Sequence, residues 1–250
     1  MSGITTFFDK RGPKATLKYV FNITKNMNTH KITVPNKLSE ITLGQYQKFS
    51  KVISKDPDLD FLRKKTIEIF CGVNLSKVVQ FKYTSIIEAT EVINKMFDQK
   101  PKLIESFEKD GTQFGFIPVL TDMSFGEFVD LDTLMNDWDT MDQAMGVLFR
   151  KVKMKHKDQY IIEDYDSDKR AEMKDMPLDV ALGAIFFLEN LRKELLTHLE
   201  SYLQSKIRQL SPQMKKHFRK ISGGGQPFIS LQDPMSRNLM QSQSSTMDHV

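Results

Sequence analysis

Apolar positions change their period along the chain, and each change marks an element. Over residues 1–38 they favour strands: 15–23 is rich in β-branched and aromatic side chains, and 31–34 alternates polar with apolar. This predicts a short β-hairpin or edge structure whose turn falls in 24–29, where asparagines tolerate unusual backbone angles. From Glu40 the period becomes helical. Thr42-Leu43-Gly44-Gln45 has the form of a capping box and predicts a helix to about Ile53. Asp56-Pro57-Asp58 starts a second helix through Phe61, Leu62, Ile67, Ile69 and Phe70, ending at Gly72, so the two form a helical hairpin. A third helix is predicted over 84–97, with Ile87, Ala89, Val92, Ile93 and Met96 as its apolar stripe and Pro101 preventing its continuation.

Residues 103–107 and 113–117 flank Asp110-Gly111, a strong hairpin signal. Next, Met123-Ser124-Phe125-Gly126-Glu127-Phe128 copies Ile41-Thr42-Leu43-Gly44-Gln45-Tyr46 in residue type, position by position. Each capping box is followed by an acidic break, 55–60 or 136–139, and then by an apolar helix ending near Cys71 or Phe149. Either a helical hairpin has been duplicated or two ordinary capping boxes coincide. A third β-hairpin is predicted from 150–156 and 159–163, with Lys151, Lys153 and Lys155 on one face by strict alternation. Residues 166–176 read as a polar connection with one helical turn.

Asp175-Met176-Pro177 then opens the longest helix, marked by Leu178, Leu182, Ile185, Leu188, Leu195, Leu199 and Leu203. Its first half is apolar nearly all round, which predicts a central core helix. From Leu188 onward it is amphipathic, with Arg192, Lys193, Glu194 and Glu200 on the polar side, so it packs on its own domain or offers a face for a partner helix or self-association. After about Ser211 the chain turns basic and then glycine-, serine- and glutamine-rich, with too little apolar surface to offset the entropy of ordering. The expected class is α+β: a predominantly helical core with two helical hairpins, short β-hairpins and a long C-terminal helix. Three regions follow: a β-rich N-terminal segment (1–38), an α+β core domain (39–210), and a basic then low-complexity disordered tail (211–250).

Composition narrows the function. At 250 residues the chain lies near the size at which a single core stops growing, and 18 phenylalanines supply ample core material. The net charge of +4 is too small to mark a dedicated nucleic-acid binder by itself. Cys71 is the only cysteine, so an intrachain disulfide and a thiolate zinc site are both excluded, and a reducing compartment is expected. The longest apolar stretch, 180–188, is far shorter than the roughly 20 residues of a membrane span, and no secretory signal is read.

Candidate chemistry is sparse. Asp56, Asp58 and Asp60, and again Asp164, Asp166 and Asp168, open like calcium loops, but the sixth and twelfth positions hold Phe61 with Ile67 and Lys169 with Asp175 instead of glycine and glutamate. Cys71, beside Ile69 and Phe70, reads as a small buried hydrophobe. The histidines are scattered singly, and the glycine run 223–225 precedes no Lys-Ser or Lys-Thr pair. No catalytic, metal or cofactor-binding residue is assigned, and no cofactor is expected. Two basic sets could meet a partner or phosphate: Lys151, Lys153 and Lys155, and the run Lys206, Arg208, Lys215, Lys216, Arg219 and Lys220. Their ordinary alternative is a solvated face and a basic helix end that complements the macrodipole; nucleic acid is therefore a minor expectation.

Four motifs occur in order: Phe114-Gly115-Phe116-Ile117-Pro118, the stretch from Met123 to Asp132, the stretch from Trp138 to Arg150, and the stretch from Met176 to Ala184. Together they resemble proteins encoded among the structural and assembly genes of tailed bacteriophages, tail assembly chaperones in particular. The resemblance runs from about Glu40 to Tyr202 and consists of packing and capping residues. It implies a non-enzymatic protein of the host cell cytoplasm that holds the tape-measure protein soluble until tail-tube subunits polymerise around it. Such a role requires exposed apolar or adaptable surface, and the 14 methionines suit it loosely. The alternative is a structural component retained in the virion, such as a connector or tail subunit.

Overall fold

The computed structural model describes the backbone of residues 4–9, 16–25, 28–157 and 159–209, and side chains from 32 to 206 other than 158. It is an α+β fold, and it divides into two compact units at Gly183, inside the longest helix. At the front, β1 (Ile4–Asp9), β2 (Thr16–Lys25) and β3 (Asn28–Val34) form an antiparallel sheet in that order. The expected hairpin is β2–β3, paired from Tyr19↔Val34 to Lys25↔Asn28. β1 adds a third strand to that hairpin, and the connecting pair 26–27 lies outside the described residues.

The capping box opens α1 (Leu43–Ile53) as expected: the Gln45 amide donates to Thr42 Oγ1 and the Thr42 amide to Gln45 Oε1. Asp58 caps α2 (Leu59–Cys71), and Gly72, at φ +64°, closes it in the left-handed region. A short α3 (Leu75–Val78) follows, then α4 (Tyr83–Phe97). The buried stripe of α4 is Ser85, Ile86, Ala89, Thr90, Ile93 and Met96, rotated from the one predicted so that Ile87 and Val92 are only half-buried. Thr90 can face the core because its hydroxyl donates to the Ile86 carbonyl at 2.7 Å. Tyr46, Phe49, Phe70, Phe97 and Trp138 stack edge-on and face-on to fill the space between these helices.

A second sheet, of order β4-β5-β6-β7, comprises β4 (Ser106–Lys109), β5 (Thr112–Phe116), β6 (Phe149–His156) and β7 (Gln159–Ile162). Asp110 and Gly111 both take positive φ, 51° and 73°, as a two-residue turn of this hand requires. Between β5 and β6 lie α5 (Phe125–Leu134), opened by the Ser124–Glu127 capping box, and α6 (Met141–Leu148), which runs straight into β6. In both helical hairpins the last residue of the capping box reaches the second arm or the strand it runs into. Gln45 Nε2 donates to the Ile69 carbonyl at 2.9 Å, and Glu127 Oε1 meets Arg150 Nη2 at 2.7 Å. The arms differ, however: α2 has 13 residues and a glycine cap, α6 has 8 and none.

The strict lysine alternation on β6 does not hold. Its register with β7 shifts between Val152 and Met154, a bulge at Lys153 that re-aims everything beyond it. Lys151 pairs opposite Phe114, whereas Lys155 pairs opposite Tyr160, whose ring lies over Gly115 on the other face of the sheet.

Residues 163–177 include the expected helical turn, at Ser167–Lys169. The segment is less polar in its role than its composition implies, because Met173 and Met176 are fully buried. It passes across α6 and α1 where Gly146 and Gly44 permit: a Cβ on Gly146 would stand 2.7 Å from the Ala171 carbonyl oxygen, and one on Gly44 3.1 Å from that of Lys174. Then α7 (Leu178–Gln209) begins, with Leu178, Val180, Ala181, Leu182, Ala184 and Ile185 buried. The tail expected over 211–250 lies outside the described residues.

Gln47 on α1 ties the two helical hairpins together. Its buried Nε2 donates to the Trp138 carbonyl and to Asp142 Oδ1, both at 2.8 Å. Gln47→Leu should lower stability by about 2–3 kcal/mol, since it strands a buried carboxylate, and Gln47→Leu/Asp142→Leu should cost less than the sum of the single changes. Urea unfolding of the four proteins measures both. Gly146→Val should destabilise by a further mechanism, about 1–3 kcal/mol, by driving the 170–177 segment off α6.

Candidate functional site

The N-terminal half of α5 buries little. Only Glu127 and Leu131 of that helix are enclosed, while Phe125 is 83% exposed, Phe128 58% and Val129 41%. Opposite it runs the start of the 163–177 segment, and between them lies a shallow, open cleft of about 600 Å³ lined by Phe125, Gly126, Val129, Asp130, Tyr165 and Asp166 with Ser167.

A chain of charges holds the two walls together. The Tyr165 hydroxyl donates to Asp130 Oδ2, which also pairs with Arg170 Nη1 at 3.3 Å. Arg150 stacks 5.9 Å above the Tyr165 ring and binds Glu127, whose other oxygen accepts from the Ser124 amide at 2.6 Å. Burial first, then the Asp130 carboxylate, pushes the Tyr165 phenol up to about 12, so it remains a donor at neutral pH. Each carboxylate here is matched by a guanidinium. The arrangement is a clamp that shapes a surface, and it leaves the aromatic side chains of α5 outside.

The predicted basic residues of β6 are not gathered into one site. Lys151 and Lys155 are exposed on opposite faces of β6, and Lys153 pairs with Asp164 at 2.9 Å. Lys206 stacks 5.4 Å from the Tyr202 ring on α7, and Arg208 lies on the same helix. Lys215, Lys216, Arg219 and Lys220 lie outside the described residues. The calcium-like aspartates serve local structure: Asp58 caps α2, Asp60 accepts from Arg63 and Tyr83, and Asp166 caps the Ser167–Lys169 turn and pairs with Lys169. Neighbouring Lys153 and Lys169 hold Asp164 and Asp166 below the usual carboxylate range. Among the described residues no group of three or more His, Cys, Asp or Glu side chains could hold a metal ion, and no helix is long and apolar enough to cross a membrane.

No local pattern encodes the cleft, because Tyr165 and Asp130 are 35 positions apart in the chain. One signal is local: Phe125, Phe128 and Val129 fall at i, i+3 and i+4, an apolar stripe on a short helix.

Comparison with protein families finds no match, and neither curated proteins nor solved structures match the chain.

Two outcomes check the electrostatics. Burial pushes the Cys71 thiol up to about 12, and since the thiolate is the nucleophile, alkylation at pH 8 should run at least about 100-fold slower than for free cysteine. Asp130→Ala should release the clamp at a cost of about 1–2 kcal/mol, and tryptic cleavage after Lys169 should accelerate while far-ultraviolet circular dichroism stays unchanged.

Proposed function

We propose that the protein is a non-enzymatic assembly factor of tailed bacteriophages, a chaperone that keeps the tape-measure protein soluble in the host cytoplasm until the tail tube forms around it. The observation that carries this reading is the outer half of α7. There Leu195, Leu196, Leu199, Tyr202 and Leu203 are all between 48% and 60% exposed. They recur at i, i+1, i+4, i+7 and i+8, which lines them along one side of the helix, with Lys193, Glu194, Glu200 and Lys206 around them. Covering a leucine is worth about 1.5–3 kcal/mol, so such a stripe is a large reserve of binding energy held open to solvent. A second helix lying along it is the recognition mode that uses this spacing. The ordered motifs between Glu40 and Tyr202 that resemble tail assembly chaperones add the class of partner.

Co-expression with the tape-measure protein from the same genome tests this. The two should co-purify, and Leu199→Glu/Leu203→Glu should weaken capture by roughly 100-fold with helicity retained. Mass spectrometry of purified virions should find the protein absent. Stoichiometric presence there would replace the chaperone reading with that of a structural subunit.

A further inference from the structure

We infer that the protein associates with itself head to tail, the β6–β7 hairpin of one copy seating on the α5 surface of the next. Both halves of this contact lie in the first unit, and both are exposed within a single chain. On α5, Phe125, Phe128 and Val129 form an apolar stripe that Asp132 continues at i+7, with exposed Asp122 on the turn before the helix. Between Asp110 and Phe149 the sequence holds no lysine or arginine; Glu127, Asp130 and Asp139 pair with Arg150, Arg170 and Lys51, which leaves exposed Asp122 and Asp132 as the acidic groups beside the stripe. The surface is therefore apolar at its centre and negative at its rim.

The hairpin is its converse. Met154 and Ile161 are cross-strand partners, 65% and 59% exposed, so they form a small apolar knob. Lys151 shares their face by register, exposed Lys157 lies at the tip, and Lys155 is exposed on the opposite face. From Arg150 to His156 the strand reaches about 20 Å at its usual rise, far enough to enter a cleft on another molecule. Knob and stripe match in polarity and are opposite in charge. A two-fold contact of hairpin with hairpin, or of α5 with α5, would oppose like charges, so electrostatics selects the pairing of unlike patches. With one such contact per pair the interface is heterologous: it leaves the stripe of one copy and the knob of the other free, which builds a ring or a filament. This inference is independent of the tape-measure reading and is tested on the purified full chain alone.

Sedimentation velocity over increasing concentration, up to about 100 μM where contacts of modest affinity populate, should show growth past the dimer. That growth should fall as ionic strength rises from about 0.1 M to about 1 M and the Debye length shrinks from about 10 Å to about 3 Å. Phe125→Ser/Phe128→Ser and, separately, Met154→Ser/Ile161→Ser should each abolish growth while leaving the melting temperature unchanged, since all four side chains are exposed. An equimolar mixture of the two variants should form a one-to-one complex and nothing larger, because each supplies the patch the other lacks. A dimer made through α7 would persist in both variants and never grow. A wild type that stops at monomer or dimer, growth that survives either pair of substitutions, or a mixture that fails to pair would each overturn the proposal.

Discussion

The first amides of a helix have no carbonyl four residues behind them, and at α1 those amides are buried or half-buried, where an unpaired donor is costly. Gln45 is satisfied by the capping threonine, but Leu43 and Gly44 are satisfied from the far end of the first unit, by the carbonyls of Met176 at 2.9 Å and Lys174 at 2.8 Å. The Leu178 amide returns a bond to Ile41 at 3.0 Å, and Thr42 and Pro177 form an isolated bridge. Closing the start of one helix therefore fixes the start of another more than 130 residues later. Met173 and Met176, buried on the way, add apolar burial to the same closure.

Much else follows from where that closure lays the 163–177 segment. Drawn across Gly146 and Gly44, it leaves Tyr165 and Arg170 beside α5, where they meet Asp130. The cleft wall is thus a by-product of satisfying backbone donors elsewhere. Its polar groups are mutually neutralised, as partly buried charges must be, so the unspent potential of the surface is apolar and belongs to Phe125, Phe128 and Val129. The β6 bulge has a comparable effect on the other sheet edge, separating Lys151 from Lys155 and leaving Met154 and Ile161 as an exposed pair. Bulges commonly serve to re-aim side chains or to blunt an edge.

Among the described residues, the apolar surfaces left open include the α5 stripe, the β6–β7 knob and the outer half of α7. They differ in chemistry. Acidic and basic rims make the first two complementary to each other, whereas the α7 stripe carries mixed charges at its flanks and suits a helical partner. Self-assembly and capture of another protein would therefore use different parts of the chain and need not compete.

The sequence by itself determined the elements whose causes are local. Thr42–Gln45 and Ser124–Glu127 form their capping boxes, Asp58 and Gly72 bound α2, Asp110-Gly111 turns its hairpin, and Pro177 precedes α7, because each of these bonds or backbone angles lies within a few residues of its cause. Only the tertiary structure decided which apolar residues would find cover. Met173 and Met176 sit in a run that reads as a polar loop, yet they are enclosed, while Leu195, Leu199 and Leu203 keep a helical period and remain in water. The rotation of α4, the bulge at Lys153 and the joining of Tyr165 to Asp130 likewise depend on neighbours distant along the chain. Periodicity states which face of an element is apolar; what that face meets is set by packing between segments, which no local spacing encodes.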